Sequence, residues 1–167
     1  MDMLGVRFGF TAIFLSLFLF GSCSLFDWAD DKANDGPIDK TILLRLVNEV
    51  RATGCDCGGE QMPAVAPLAW NSMLEKAALD HSRDMDQNNF FSHTGSNGST
   101  VGERVTKAGF VWRSCGENIA KGYPTEEAVV QGWINSAGHC KNIMNPGFTL
   151  MGIAKSGDYW TQVFASN

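Results

Sequence analysis

Two strand-like segments close the chain. Thr149 to Lys155 and Tyr159 to Ala165 are joined by Ser156-Gly157-Asp158, a short turn-forming link that reads as a β-hairpin. A hairpin commits the chain to antiparallel pairing, and the segments before it supply the cover such a sheet needs. Thr41 to Thr53 reads as a helix with Ile42, Leu43, Leu46, Val47 and Val50 on one stripe and Gly54 as its stop. Asn71 is a strong N-cap for a second helix running to about Gln87, with Leu74, Ala77, Ala78, His81 and Met85 on one face. Val101 to Lys107 forms a short helix ended by Gly109, and Phe110 to Cys115 reads as a strand from which Gly116 to Gly122 leads out. Thr125 caps a further helix from Glu126 to about Ser136, whose acidic first turn suits the helix dipole. The order of two helices, a short helix, a strand, a helix and a hairpin predicts an α+β layered domain, an antiparallel sheet covered by helices.

The other end of the chain is different in kind. Phe8 to Phe20 is an almost unbroken apolar run behind Arg7, too short to span a bilayer comfortably, and it reads as the core of an export signal. Small residues stand before Cys23 in Phe20-Gly21-Ser22-Cys23, as in the bacterial lipobox, although Phe20 occupies the usual leucine position. The expected arrangement is an export signal of the lipoprotein type (1–22), cleaved so that an acylated Cys23 becomes the N-terminus and ties the protein to a membrane without a spanning helix. Plain secretion and an uncleaved anchor are the alternatives. Residues 23–37, rich in Asp and closed by Gly36-Pro37, read as an acidic tether, and 38–167 as one domain large enough for a core. Removing 1–22 deletes Asp2 and Arg7, so the net charge stays at -5. An acidic balance without Lys/Arg clusters argues against a nucleic-acid partner.

Export also governs the cysteines. Beyond Cys23 there remain Cys55, Cys57, Cys115 and Cys140, an even set in an oxidising compartment, which favours disulfides. Cys55 and Cys57 are separated only by Asp56, so a bond between them is strained. Two long-range bridges are expected, one to Cys115 and one to Cys140, with the partners open. A structural zinc site of the four thiols is the rival arrangement.

Polar groups of catalytic type stand beside turn-forming residues. His93 follows Phe90-Phe91-Ser92 and precedes Thr94-Gly95, Glu117 lies in Gly116-Glu117-Asn118-Ile119-Ala120, and His139 follows Gly138 in Trp133-Ile134-Asn135-Ser136-Ala137-Gly138-His139. Two imidazoles and a carboxylate can hold a divalent metal with open positions, or act as an acid/base set in which Glu117 orients a histidine. Ser136, three residues before His139, allows a Ser/His pairing. No Gly-x-Ser-x-Gly elbow and no His-Glu-x-x-His helix is present. Each residue also has a structural reading: a histidine donating to a backbone carbonyl, a glutamate holding a turn, a serine at a helix end. His81, on the apolar face of its helix, reads as a core or rim histidine.

Trp133-x-x-Ser136-x-x-His139, Gly116-Glu117-Asn118-Ile119-Ala120, Phe91-Ser92-His93-Thr94 and Pro67-Leu68-x-Trp70-Asn71 together resemble the CAP superfamily of cysteine-rich secretory, antigen 5 and pathogenesis-related proteins, also called the SCP domain, in its bacterial branch. The likeness runs from about Leu43 to Phe164. It implies a three-layer α-β-α sandwich with a central antiparallel sheet and a surface cavity, which in eukaryotic members holds two histidines and two glutamates and can bind zinc. His93 matches the first histidine and Glu117 the glutamate of the Gly-Glu-Asn-Ile motif. Ser136 stands in place of the second glutamate and Tyr159 in place of the second histidine, with His139 entering from the neighbouring segment. The resemblance therefore implies weak binding of zinc or another divalent cation by His93, Glu117 and His139. It points to a non-enzymatic envelope protein whose cavity, with Ser136 and Tyr159, takes a small polar or lipid ligand or a protein. The rival from another class is a hydrolase of peptide or envelope polymer, metal-assisted or dependent on Glu117, His93 and His139, in which the carboxylate or a histidine activates water.

Overall fold

The computed structural model describes residues 38–167, so the expected export signal (1–22), the acylation site Cys23 and the tether (23–37) lie outside the described residues. In chain order the elements are α1 (Lys40–Thr53), β1 (Cys55–Asp56), β2 (Gln61–Met62), β3 (Ala69–Trp70), α2 (Ser72–Asn88), α3 (Val101–Lys107), β4 (Ser114–Lys121), α4 (Glu126–Ile134), α5 (Ala137–Ile143), β5 (Leu150–Ser156) and β6 (Tyr159–Ser166). Helix starts follow the side chains able to cap them. Asp39 accepts from the Thr41 and Ile42 amides, Asn71 from those of Met73 and Leu74, and Thr125 from that of Ala128. Thr100 and Glu103 form a reciprocal capping box.

The main sheet has the order β3-β5-β6-β4. β5, β6 and β4 are antiparallel, as the hairpin requires, but β3 joins β5 in parallel, so the sheet is antiparallel except at that short edge. Every residue of β6 is buried, because helices cover both faces of this central strand. Trp160 and Phe164 turn toward α1, α4 and α5, where they pack with Leu43, Val47, Trp133 and Ile143. Val163 and Ala165 turn toward α2 and α3, against Leu74, Ala78 and Val105. That is the three-layer sandwich. At Gly152 on β5 an added Cβ would run into the backbone of Leu74 and Glu75, so α2 lies against the sheet at a distance only glycine permits. Among the described residues no helix is long and apolar enough to cross a membrane.

Two elements and the cysteine pairing differ from the sequence expectation. The strand expected over Phe110 to Cys115 lies further on, at Ser114–Lys121, and its centre is the polar Gly116-Glu117-Asn118 stretch. Val111 is 85% exposed, so that apolar run is not a strand packed in the core. The helix expected to reach Ser136 ends at Ile134, and a second one, α5, begins at Ala137. Among the described residues the cysteines make one bridge, Cys57–Cys140, with Cys55 and Cys115 free. Cys115 packs in the layer of α2 and α3 while Cys55, Cys57 and Cys140 lie in the layer of α1, α4 and α5, so the sheet keeps the second expected bridge and the four-thiol zinc site from forming. The bridge joins residues separated by 83 positions, a loop closure of about 4.5 kcal/mol in the chain-entropy picture.

Candidate functional site

β4 is an edge strand, paired to β6 alone, and both helical layers overhang it. The segment after α2 comes from one layer, and the α4–α5 junction from the other. Between them, along the second half of β4, lies a cavity of about 590 Å³. His93 lines one side, Ser136 and His139 the other, and Phe91, Ile119 and Trp133 supply apolar wall. Two of the three residues expected to converge, His93 and His139, thus meet at one hollow.

Glu117 stands behind that wall. Its side chain is 3% exposed and does not line the cavity. One carboxylate oxygen, Oε1, accepts from His93 Nδ1 at 2.8 Å, and the other, Oε2, from Arg104 Nη2 at 2.7 Å. A carboxylate only accepts, so Nδ1 of His93 is the donor in this pair. Arg104, itself buried, also donates to the His93 carbonyl at 2.9 Å and the Ser99 carbonyl at 2.7 Å, fixing the loop that carries the imidazole. The arrangement is a buried guanidinium neutralising a carboxylate that orients a half-exposed histidine.

The far wall is held by side-chain amides. Asn118 Nδ2 donates to the His139 carbonyl at 3.1 Å and to Gln162 Oε1 at 3.0 Å. Asn142 Nδ2 donates to Asn118 Oδ1 at 2.9 Å and to the Glu117 carbonyl at 3.1 Å. Adjacent residues of β4 therefore serve opposite walls, because successive side chains of a strand face opposite layers. Glu117 reaches the α2–α3 side and Asn118 the α5 side. Ser136 occupies the N-cap of α5 but makes no capping hydrogen bond, which leaves its hydroxyl at the cavity.

Tyr159 does not line the cavity either. It is 4% exposed, accepts from Lys121 Nζ at 2.6 Å and donates to Asn89 Oδ1 at 3.3 Å, standing behind Phe91 and Lys121. The expected metal set fares similarly. With both Glu117 oxygens engaged and its side chain sealed off, two imidazoles face the hollow without a carboxylate, which does not fit a three-ligand divalent site. Among the described residues, three ligand atoms of His, Cys, Asp or Glu come within 4.8 Å of one another at Cys55, Cys57 and Cys140, two of which form the disulfide.

Sequence reasoning missed Arg104, Asn118 and Asn142, while His81 is the core histidine that its place on the apolar face predicts. His81 is fully buried below Glu117, with Nε2 donating to the Ser92 carbonyl at 2.9 Å and 3.9 Å from Glu117 Oε1. Its Nδ1 meets no partner, so a second proton there would be a buried, unsatisfied donor. Burial holds the His81 imidazole below its ordinary value of 6.5; Glu117 pulls the other way and Arg104 adds to the lowering. His139 is lowered too, by burial and then by the charge of His93. A histidine lowered in the fold binds fewer protons there than in the unfolded chain, so its contribution is whole above pH 6.5 and is lost as pH falls below that value. Stability measured by urea unfolding should decline from pH 7 to pH 5, by at most ~1.4 kcal/mol per pH unit from His81. His81→Gln should flatten the decline, and an unchanged slope in that variant would refute the assignment.

A model of the cysteine-rich secretory protein family matches residues 44–164, most of the chain and all of the site. The chain belongs to this family. The chain is 41% identical over 106 residues to the uncharacterized protein YkwD of Bacillus subtilis (strain 168), and 36% identical over 100 residues to the uncharacterized membrane protein YlbC of the same organism. These matches cover 62% and 60% of this chain but 41% and 29% of the relatives, so the chain spans less than half the length of either. Among solved structures, the fold is similar to an extracellular protein containing an SCP domain from Bacillus anthracis str. Ames, at TM-score 0.68 and 32% identity over 76% of this chain and 40% of that one. An outer surface protein of Borrelia burgdorferi shares the fold at TM-score 0.65 and 23% identity, over 79% of this chain and 98% of that one.

Proposed function

We propose that this member of the cysteine-rich secretory protein family is a binding module held outside the cytoplasm, tied to a membrane through an acylated Cys23, whose cavity takes a small amphiphile with an anionic or hydrogen-bond-accepting head. One observation carries this. The polar groups lining the hollow include His93, Lys121, Ser136 and His139, and the carboxylate of Glu117 is held behind His93 by Arg104. A hollow with cationic and donor groups on its rim, apolar wall at Phe91, Ile119 and Trp133, and no acid facing in suits an acidic head with a short apolar body. The size, about 590 Å³, falls within the range of small-ligand sites. The extracellular and outer-surface proteins that share the fold support the location.

Titration of a medium-chain fatty acid followed by calorimetry tests the proposal. Wild type should bind, the His93→Ala/His139→Ala double variant should bind at least ~10-fold more weakly, and Ser136→Trp, which fills the hollow, should not bind. Equal isotherms for wild type and Ser136→Trp would remove the cavity as the binding place.

A second reading rests on the free hydroxyl of Ser136 facing the same hollow as a carboxylate-oriented imidazole. In a hydrolase of peptide or envelope polymer, Ser136 would attack and His93 Nε2 would take its proton, with Glu117 stabilising the resulting imidazolium. Turnover of ester and peptide libraries, lost in both Ser136→Ala and His93→Ala, is the result that would favour it over binding alone.

A further inference from the structure

Cys55-Asp56-Cys57 forms β1 and the residue after it, and in an extended segment alternate side chains project to the same face. Both sulfurs are therefore presented to one place, and Cys140 of α5 occupies it. Cys57 Sγ is bonded to Cys140 Sγ, while the free Cys55 Sγ lies 3.5 Å from Cys140 Sγ and 3.9 Å from Cys57 Sγ. All three are buried, at 3%, 1% and 0% exposure for Cys55, Cys57 and Cys140. A thiol in van der Waals contact with a disulfide, and on the same strand face as one of its members, has the placement that exchange requires. Cys115, the other free thiol among the described residues, is in the opposite layer and takes no part.

We propose that Cys55 and Cys57 are interchangeable partners of Cys140, so that the domain exists as two disulfide isomers. In the exchange, Cys55 loses its proton to water and its thiolate attacks Cys140 Sγ, after side-chain rotation brings the three sulfurs into line. The Cys55–Cys140 bond forms as the Cys140–Cys57 bond breaks. Cys57 leaves with the electron pair as a thiolate and takes a proton from water. One disulfide and one thiol stand on each side of the step, so no oxidant or reductant is consumed.

The consequence reaches the cavity. The turn after Cys57 is packed on the start of α5, where a Cβ added at Gly58 would meet Ala137 Cβ at 2.6 Å. Moving the bond from Cys57 to Cys55 shifts the anchor of α5 by two residues along this segment. Cys140 follows His139 directly, so the isomer in force acts on the wall that carries the second imidazole.

The test locates the bridge in the purified full chain. Wild type, Cys55→Ser and Cys57→Ser proteins are equilibrated with reduced and oxidised glutathione, acid-quenched, alkylated, and cleaved on the N-terminal side of aspartate. Cleavage before Asp56 puts Cys55 and Cys57 on different peptides. Wild type should yield both linked pairs, Cys57–Cys140 and Cys55–Cys140. Cys55→Ser should yield Cys57–Cys140 alone. Cys57→Ser should close Cys55–Cys140, its two thiols giving two electrons to oxidised glutathione, which becomes two molecules of the reduced form. Recovery of Cys57–Cys140 alone from wild type at every glutathione ratio overturns the proposal. So does alkylation of both Cys55 and Cys140 in Cys57→Ser under conditions that close the bridge in Cys55→Ser.

Discussion

Arg51→Met should be the most damaging single substitution outside the apolar core, lowering unfolding free energy by about 3–5 kcal/mol. Arg51 is fully buried on α1, and its guanidinium is spent on backbone carbonyls. Nε donates to Ala66 at 2.7 Å, Nη1 to Ile143 at 2.6 Å and Asn145 at 3.0 Å, and Nη2 to Phe148 at 3.3 Å. One side chain thus ties the loop before β3 to the end of α5 and the loop between α5 and β5. Methionine fills much the same volume but donates nothing, so several acceptors lose their partner in a place water cannot easily reach. A domain of this size holds only about 5–15 kcal/mol in total, so the melting midpoint should drop by on the order of 10 °C. Thermal and urea unfolding followed by circular dichroism read the effect. A loss below about 1 kcal/mol would mean that water satisfies those carbonyls and that the loops do not depend on Arg51.

The second large effect separates two residues that the sequence treats alike. Glu117→Ala should cost about 3–5 kcal/mol, because it leaves the buried Arg104 guanidinium without its counter-charge. His93→Ala should cost less than about 1 kcal/mol, because the side chain of His93 is 58% exposed and its loop is still held by Arg104 through the His93 carbonyl. On motif grounds both residues belong to one open site and should tolerate alanine equally. The geometry splits them into an exposed ligand-facing imidazole and a buried carboxylate whose removal unbalances a charge pair. If both variants unfold at the same urea concentration as wild type, the Arg104–Glu117 pair is not buried as described. If both are equally destabilised, His93 belongs to the scaffold rather than to the cavity.

The parts of the fold that were legible in the sequence are those written in contiguous residues. The helix at Lys40–Thr53 was announced by its apolar stripe and by Gly54, Ser72–Asn88 by Asn71, and Val101–Lys107 by its bounds alone. The final hairpin was announced by Ser156-Gly157-Asp158. β4 was displaced because Glu117 and Asn118 look like loop residues until Arg104, Gln162 and Asn142 are beside them. α5 was hidden because Asn135-Ser136-Ala137-Gly138 reads as the end of a helix rather than the start of the next.

The site divides in the same way. Motifs placed His93, Glu117, Ser136 and His139 in one neighbourhood, and the family they resemble is the one the chain belongs to. Which of them face the hollow was settled by strand alternation at an edge strand and by the packing of two layers around it. Local signals depend on neighbours a few residues apart, so they survive in a string of letters. The satisfaction of a buried polar group depends on partners at any separation: Arg51 finds its acceptors between 15 and 97 positions away, and Glu117 its guanidinium 13 positions before it. The same holds for sulfur, since Cys140 is bonded to Cys57 and not to Cys115 because of the side of the sheet on which each one lies. The sequence alone determined four of the helices, the closing hairpin and the family; tertiary structure decided where β4 runs, that α5 stands apart from α4, which polar side chains are buried as pairs and which meet the cavity, because those choices are made by three-dimensional neighbours.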